Sequence, residues 1–222
     1  MPSLMFDVAH LLAGSMLVLS FLLLYQDRIA AVINVFALQA IALALSVAWQ
    51  ALVQDTPALF VTSALALVVK GFVVPTALRH IIRRLEIDRE IEQIIGAGPT
   101  ILTGLGLVAL SILLMQPVGE VNVYGREDLA FALAVILLGL LMMITRRNAV
   151  TQVVGFMSLE NGLILAATGA KGMPLVVEVS VAFSVLIAFI VFGVFLFRMR
   201  ERFDTVDVSA LDRFRGEQRD NP

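Results

Sequence analysis

Three ionisable side chains stand inside long apolar runs. Lys70 lies in SALALVVKGFVVPTAL (63–78), Glu160 in VGFMSLENGLIL (154–165), and Glu178 in PLVVEVSVAFSVL (174–186). Insertion scales put a central charge in hydrocarbon at about 2.5–3.5 kcal/mol, so such groups are usually shielded by protein and put to use. Low dielectric disfavours the charged form of a carboxylate and of an ammonium alike. Each of the three is therefore expected to exchange a proton or to pair with an opposite charge. Plainer readings stay open beside that one. Glu160 can be a protonated glutamate bonding across helices, Lys70 can snorkel to the interface, and Glu178, one turn into its run, can simply be solvated.

Supporting polar groups surround these candidates in sequence. Asn161 follows Glu160 directly, and Ser184 lies near the middle of its own run. Gln39 stands in DRIAAVINVFALQAIALAL (27–45), about ten residues from the start of an apolar run, as Glu160 does. At 1.5 Å per residue both are roughly 15 Å deep, close to the middle of a bilayer. Pro75 has no N–H for the carbonyl of Gly71, so the helix is expected to kink or open beside Lys70. Gly155, Ser158 and Gly162 fall on one stripe, where small side chains let a neighbouring helix approach. That stripe is expected to be a packing seam, with Glu160 turned away from it.

The elements that must position these residues follow from composition. The 222-residue chain is 59% hydrophobic and 15% charged, with mean hydropathy +0.94. Soluble domains run at roughly 45–50% apolar, so the chain is expected to be an all-α, polytopic membrane protein in the lipid bilayer. Seven transmembrane helices are expected, at 4–25, 29–53, 57–82, 100–116, 129–145, 149–168 and 174–197. None of these runs alternates with period two as a barrel strand would. The first has no basic leader and is too long for a cleaved signal peptide.

Thirteen Lys and Arg residues fall on one side of the alternating loops, against Arg126 and Lys171 on the other. By the positive-inside rule the N-terminus is expected outside and the C-terminus in the cytoplasm, in a bacterial or archaeal cytoplasmic (inner) membrane. The chain has no Cys and two His, His10 and His80, far apart. Thiolate metal sites, disulfides and iron–sulfur ligation are excluded; no metal and no cofactor are expected. A net charge of −2 points to no nucleic acid.

Four regions are expected: an N-terminal three-helix unit with a cytoplasmic amphipathic segment (1–99), a reversing helix and outer loop (100–127), a second three-helix unit (128–200) and a cytoplasmic tail (201–222). Residues 27–45 can be laid over NAVTQVVGFMSLENGLILAA (148–167), pairing Leu38-Gln39 with Leu159-Glu160. The two units would then form a parallel repeat. The segment 79–95 reads as a helix at the membrane edge or a docking helix for a cytoplasmic partner. The tail, with balanced charges, could bind such a partner or stay mobile.

LLGLLMMITRRNAVTQVVGFMSLENGLILAATGAKG, followed by a helix opening on proline, resembles the three-helix K subunit of respiratory complex I. It equally resembles the C subunit of Mrp-type cation/proton antiporters. Arg146, Arg147, Leu159, Glu160 and Asn161 match that pattern in order. With its extra N-terminal spans, the whole chain resembles hydrogenase-4 component E, the family of membrane subunits of complex-I-like group 4 hydrogenases and formate hydrogenlyases. The resemblance implies partners among antiporter-like membrane subunits. It also implies that Glu160 belongs to a mid-membrane titratable path for proton translocation, coupled to redox chemistry in those partners. The K-type pattern has a second glutamate in its third span, which SVLIAFIVFG lacks; Lys70 is expected to act as relay partner instead. The alternatives are a structural spacer without proton transfer and a subunit of an Mrp-like antiporter.

Overall fold

A computed structural model describes residues 2–85, 96–117 and 123–169, together with position 193. Apart from position 193, the expected span 174–197, with Glu178 and Ser184, lies outside the described residues, as do 86–95 of the amphipathic segment and the tail 201–222.

Every described element is helical. α1 (Pro2–Tyr25) and α2 (Ile29–Val53) form an antiparallel pair. α3 (Pro57–Ala66) runs into a π-helical segment (Leu67–Val73) and then α4 (Val74–Leu85). α5 (Ala97–Met115), α6 (Val123–Thr145) and α7 (Ala149–Gly169) follow. Among the described residues six helices are long and apolar enough to cross a membrane: Met5–Tyr25, Ile29–Val53, Pro57–His80, Ala97–Met115, Arg126–Thr145 and Ala149–Thr168.

Helix ends are set by local chemistry. α2 stops in a Schellman turn. Asp55 takes a positive φ of 51°, and the Thr56 N–H bonds back to the Ala51 carbonyl at 3.1 Å. α3 opens on Pro57, where the missing N–H would be an orphan in any case. The side chain of Asn148 caps α7, its Oδ1 accepting the Val150 N–H at 2.9 Å.

α6 and α7 form the closest pair. A Cβ built on Gly139 would stand 2.6 Å from the Leu159 amide nitrogen and 2.8 Å from the Gly155 carbonyl oxygen. One on Gly162 would meet the Ile136 backbone nitrogen at 2.9 Å. Only hydrogen fits at these positions, so the two backbones touch. α1 packs on α2 and α6, and α2 crosses α7. The core runs through Leu24, Ile33, Phe36, Leu138, Met142 and Met157, contributed by α1, α2, α6 and α7. α5 leans on α6 and leaves Leu102, Leu105 and Leu113 exposed. In lipid these exposed leucines meet acyl chains or another apolar helix at no loss.

Candidate functional site: a buried ion pair in the middle of the bundle

The third span is not a continuous α-helix. Over Leu67–Val73 it widens to π geometry, and the Val74 N–H bonds back five residues to the Val69 carbonyl. The next residue, Pro75, has no N–H. The carbonyl of Lys70 thereby loses both its α donor (Val74) and its π donor (Pro75). Single π turns inside α-helices are rare and often mark functional positions. Lys70 sits on this segment and is 3% exposed.

Across from it, on α7, stands Glu160, 4% exposed. Lys70 Nζ and Glu160 Oε2 are 3.2 Å apart, an ion pair between elements 90 residues apart in sequence. The contact is an ion pair, and the other carboxylate oxygen, Oε1, has no hydrogen-bond partner among the described residues. The ammonium donates to Asn161 Oδ1 at 3.1 Å. Consecutive residues of α7 thus approach the lysine with one charged and one neutral acceptor.

The network continues into α2 and α1. Asn161 Nδ2 donates to Gln39 Oε1 at 3.3 Å. Gln39 Nε2 donates to Ser158 Oγ at 2.9 Å and to Ser20 Oγ at 2.8 Å. The Ser20 hydroxyl donates to the Met16 carbonyl at 2.9 Å. Gln39, Ser158, Asn161 and Ser20 are all buried. Four elements therefore meet in one polar layer inside an apolar bundle. Such a layer is stable only if its members pair, because an unpaired buried polar group costs about 1–3 kcal/mol.

The structure brings Lys70, Glu160, Asn161 and Gln39 into this single cluster. Gly155 and Gly162 lie against α6, whereas the Ser158 hydroxyl faces Gln39 of α2. Pro75 is buried just beyond the π segment. Glu178 and Ser184 fall outside the described residues.

Four features carry little signal in the sequence. Ser20 gave no signal, because a serine in a span is common. Gly139, which sets the α6–α7 approach, is a lone glycine in an apolar run. Arg146 read as one of the loop arginines, yet it is 1% exposed. Its Nη2 donates to the carbonyls of Leu24 and Leu23, at the end of α1. Burial lowers its pKa from the usual arginine value, and the Asp27 carboxylate offsets part of that shift. At the opposite end of the bundle His10 Nδ1 is 3.2 Å from Asp128 Oδ1. His10 Nε2 is 3.6 Å from Glu127 Oε2. The twin arginine of RRN and the acidic pair ED were visible signals, but nothing in their spacing told which partner each would meet.

The uncharacterized protein Rv0085 of Mycobacterium tuberculosis is 30% identical over 208 residues, covering 91% of this chain and 94% of its own length. The chain belongs to the same family as that mycobacterial protein. Hydrogenase-4 component E of Escherichia coli is 29% identical over 161 residues, covering 71% of this chain and 74% of the relative. The protein of the same name from Shigella flexneri gives the same figures. This chain is thus a distant homologue of hydrogenase-4 component E, and the six apolar helices among its described residues make it a multi-pass membrane protein. No protein-family model matches the chain. No solved structure matches it either.

Proposed function

We propose that this protein is an integral membrane subunit of a complex-I-like hydrogenase or related respiratory complex. In this reading the Lys70–Glu160 pair is a proton-exchanging site in mid-membrane, coupled to redox chemistry carried out in partner subunits. One observation carries it: two ionisable groups from distant parts of the chain meet at 3.2 Å, almost fully buried, beside a π-helical segment. Distant homology to hydrogenase-4 component E supports the membrane-complex setting. With no Cys in the chain, the electrons are assigned to other subunits.

The pair works as a two-state site. With the ammonium and carboxylate both charged, each stabilises the other in low dielectric. A proton delivered to Glu160 dissolves the attraction and leaves Asn161 as the partner of Lys70 among the described residues. In this reading the carboxylate is the point of proton arrival, with the Lys70 ammonium 3.2 Å away as its counter-charge. The N-terminus is placed outside and the arginine-rich loops in the cytoplasm, following the charge asymmetry of the sequence.

The test is proton translocation by the assembled complex in inverted membrane vesicles, driven by its own electron donor. Glu160→Gln is expected to cut the proton flux per complex at least about tenfold, a barrier change of roughly 1.4 kcal/mol, with the complex still assembled. Unchanged flux in an assembled Glu160→Gln complex contradicts the proposal. It would favour the spacer reading, in which the buried pair only binds helices together.

A further inference from the structure

Hydrogen-bond polarity in the central layer can be worked out by exclusion, starting from the lysine. An ammonium has donors and no acceptor, so the Asn161 atom facing it at 3.1 Å is the oxygen. Asn161 must then turn its NH2 group to Gln39, and Gln39 must answer with its carbonyl oxygen. That leaves the Gln39 NH2 group facing two serine hydroxyls, Ser20 and Ser158, each of which must accept. Ser20 can do so because its own proton goes to the Met16 carbonyl. The assignment is the same when started from Met16, whose backbone oxygen can only accept. Two amides that could each flip in isolation are therefore locked in one orientation.

We propose that Gln39 is a positioning residue: held by two serines, it fixes which end of the Asn161 amide faces Lys70 and so keeps the lysine as donor beside Glu160. This rests on the reading of the Lys70–Glu160 pair as the proton-exchanging site. The arm through Gln39 orients and does not conduct. It ends on the carbonyl of Met16, which has no proton to pass on, and its two amides keep their N–H protons. Reversing Asn161 would require Gln39 to reverse as well, setting its oxygen against the Ser20 oxygen, whose proton goes to the Met16 carbonyl. Ser20 is the anchor of this polarity, because its proton is committed to the Met16 carbonyl; the Ser158 hydroxyl can donate as well as accept and follows Gln39.

The experiment is a set of substitutions in the assembled complex, read by proton flux in vesicles and by the infrared carboxyl band of Glu160. Gln39→Met keeps the shape and removes the polarity. It is expected to lower flux roughly fivefold, the scale of one net hydrogen bond, and to move the Glu160 band. In an Asn161→Ala background Gln39→Met is expected to have no further effect, because Gln39 acts only through Asn161. Ser158→Ala alone is expected to stay within about twofold, while Ser20→Ala and the double variant fall toward, and no further than, Gln39→Met. The double serine variant tests the same lock without touching Gln39, so poor assembly of Gln39→Met does not block the result. A full loss of flux on Ser20→Ala alone, or an undiminished Gln39→Met effect in the Asn161→Ala background, overturns the proposal in favour of a conducting arm. Loss of flux in Glu160→Gln with none in Gln39→Met refutes only the positioning role. Unchanged flux in Glu160→Gln refutes the site itself.

Discussion

Two buried cations, Lys70 and Arg146, face the same physical problem at different depths and solve it differently. Lys70, in mid-bundle, is met by a carboxylate and a side-chain amide. Arg146, at the turn between α6 and α7, is met by the last backbone carbonyls of α1, with Asp27 contributing from further off. A helix C-terminus leaves carbonyls unpaired and carries partial negative charge, so Arg146 gains a partner that cannot be protonated. Its guanidinium stays charged under ordinary conditions and its partners stay acceptors. Lys70 and Glu160 can both change protonation. The difference separates a fixed clamp from a site able to switch, although both cations are buried to a similar degree.

The largest expected effect breaks the frame on which both cations depend. Gly139→Leu forces side-chain atoms into the α7 backbone, where even a Cβ would stand 2.6 Å from a nitrogen. No assembled protein is expected in membrane extracts; normal levels of folded variant would refute the close α6–α7 contact. Next comes Lys70→Met, which leaves Glu160 buried without its cation. Uncompensated buried charge is worth about 3–5 kcal/mol, so the carboxyl is expected to stay protonated and coupled flux to vanish. Retained flux in that variant would mean that Glu160 works alone.

Arg146→Met sharpens the contrast from the other side. Losing the charged donor to the α1 carbonyls is expected to lower stability by about 2 kcal/mol, read as a lower thermal midpoint of the purified complex. Flux per surviving complex should be unchanged; a drop in specific flux would make the clamp part of the switch. The smallest effect is expected at Gly106 on α5, where an added Cβ meets nothing within 4 Å. Gly106→Ala should alter stability by no more than about 1 kcal/mol and leave flux alone. Failed assembly there would show that α5 presents this face to a partner subunit.

Helix positions were largely legible in the sequence because twenty-residue apolar runs have few other uses. The described spans fall close to where hydropathy puts them, except that α6 begins at Val123, earlier than the apolar run, since Arg126, Glu127 and Asp128 join its first turns. The candidates Glu160, Lys70, Gln39 and Asn161 stood out for a simple reason: polar groups are scarce in such runs. Their meeting was not legible. Which face of α7 turns toward the third span depends on the glycine contacts with α6, and Gly139 looked like any small residue. The π geometry was only half visible: Pro75 signals lost bonding in the turn before it, but a kink and a widened turn share that signal. Arg146 shows the opposite failure. Its loop position suggested solvent, while tertiary packing of α1 against α6 enclosed it.

The central claim is that the Glu160 carboxyl gains and loses a proton while the complex turns over. Difference infrared spectroscopy of the assembled complex, comparing resting and turning-over states, tests it most directly. A carboxyl band that changes with turnover, shifts in deuterated water and disappears in Glu160→Gln is expected. A turnover spectrum with the same carboxyl bands in Glu160→Gln as in the unsubstituted protein would contradict it.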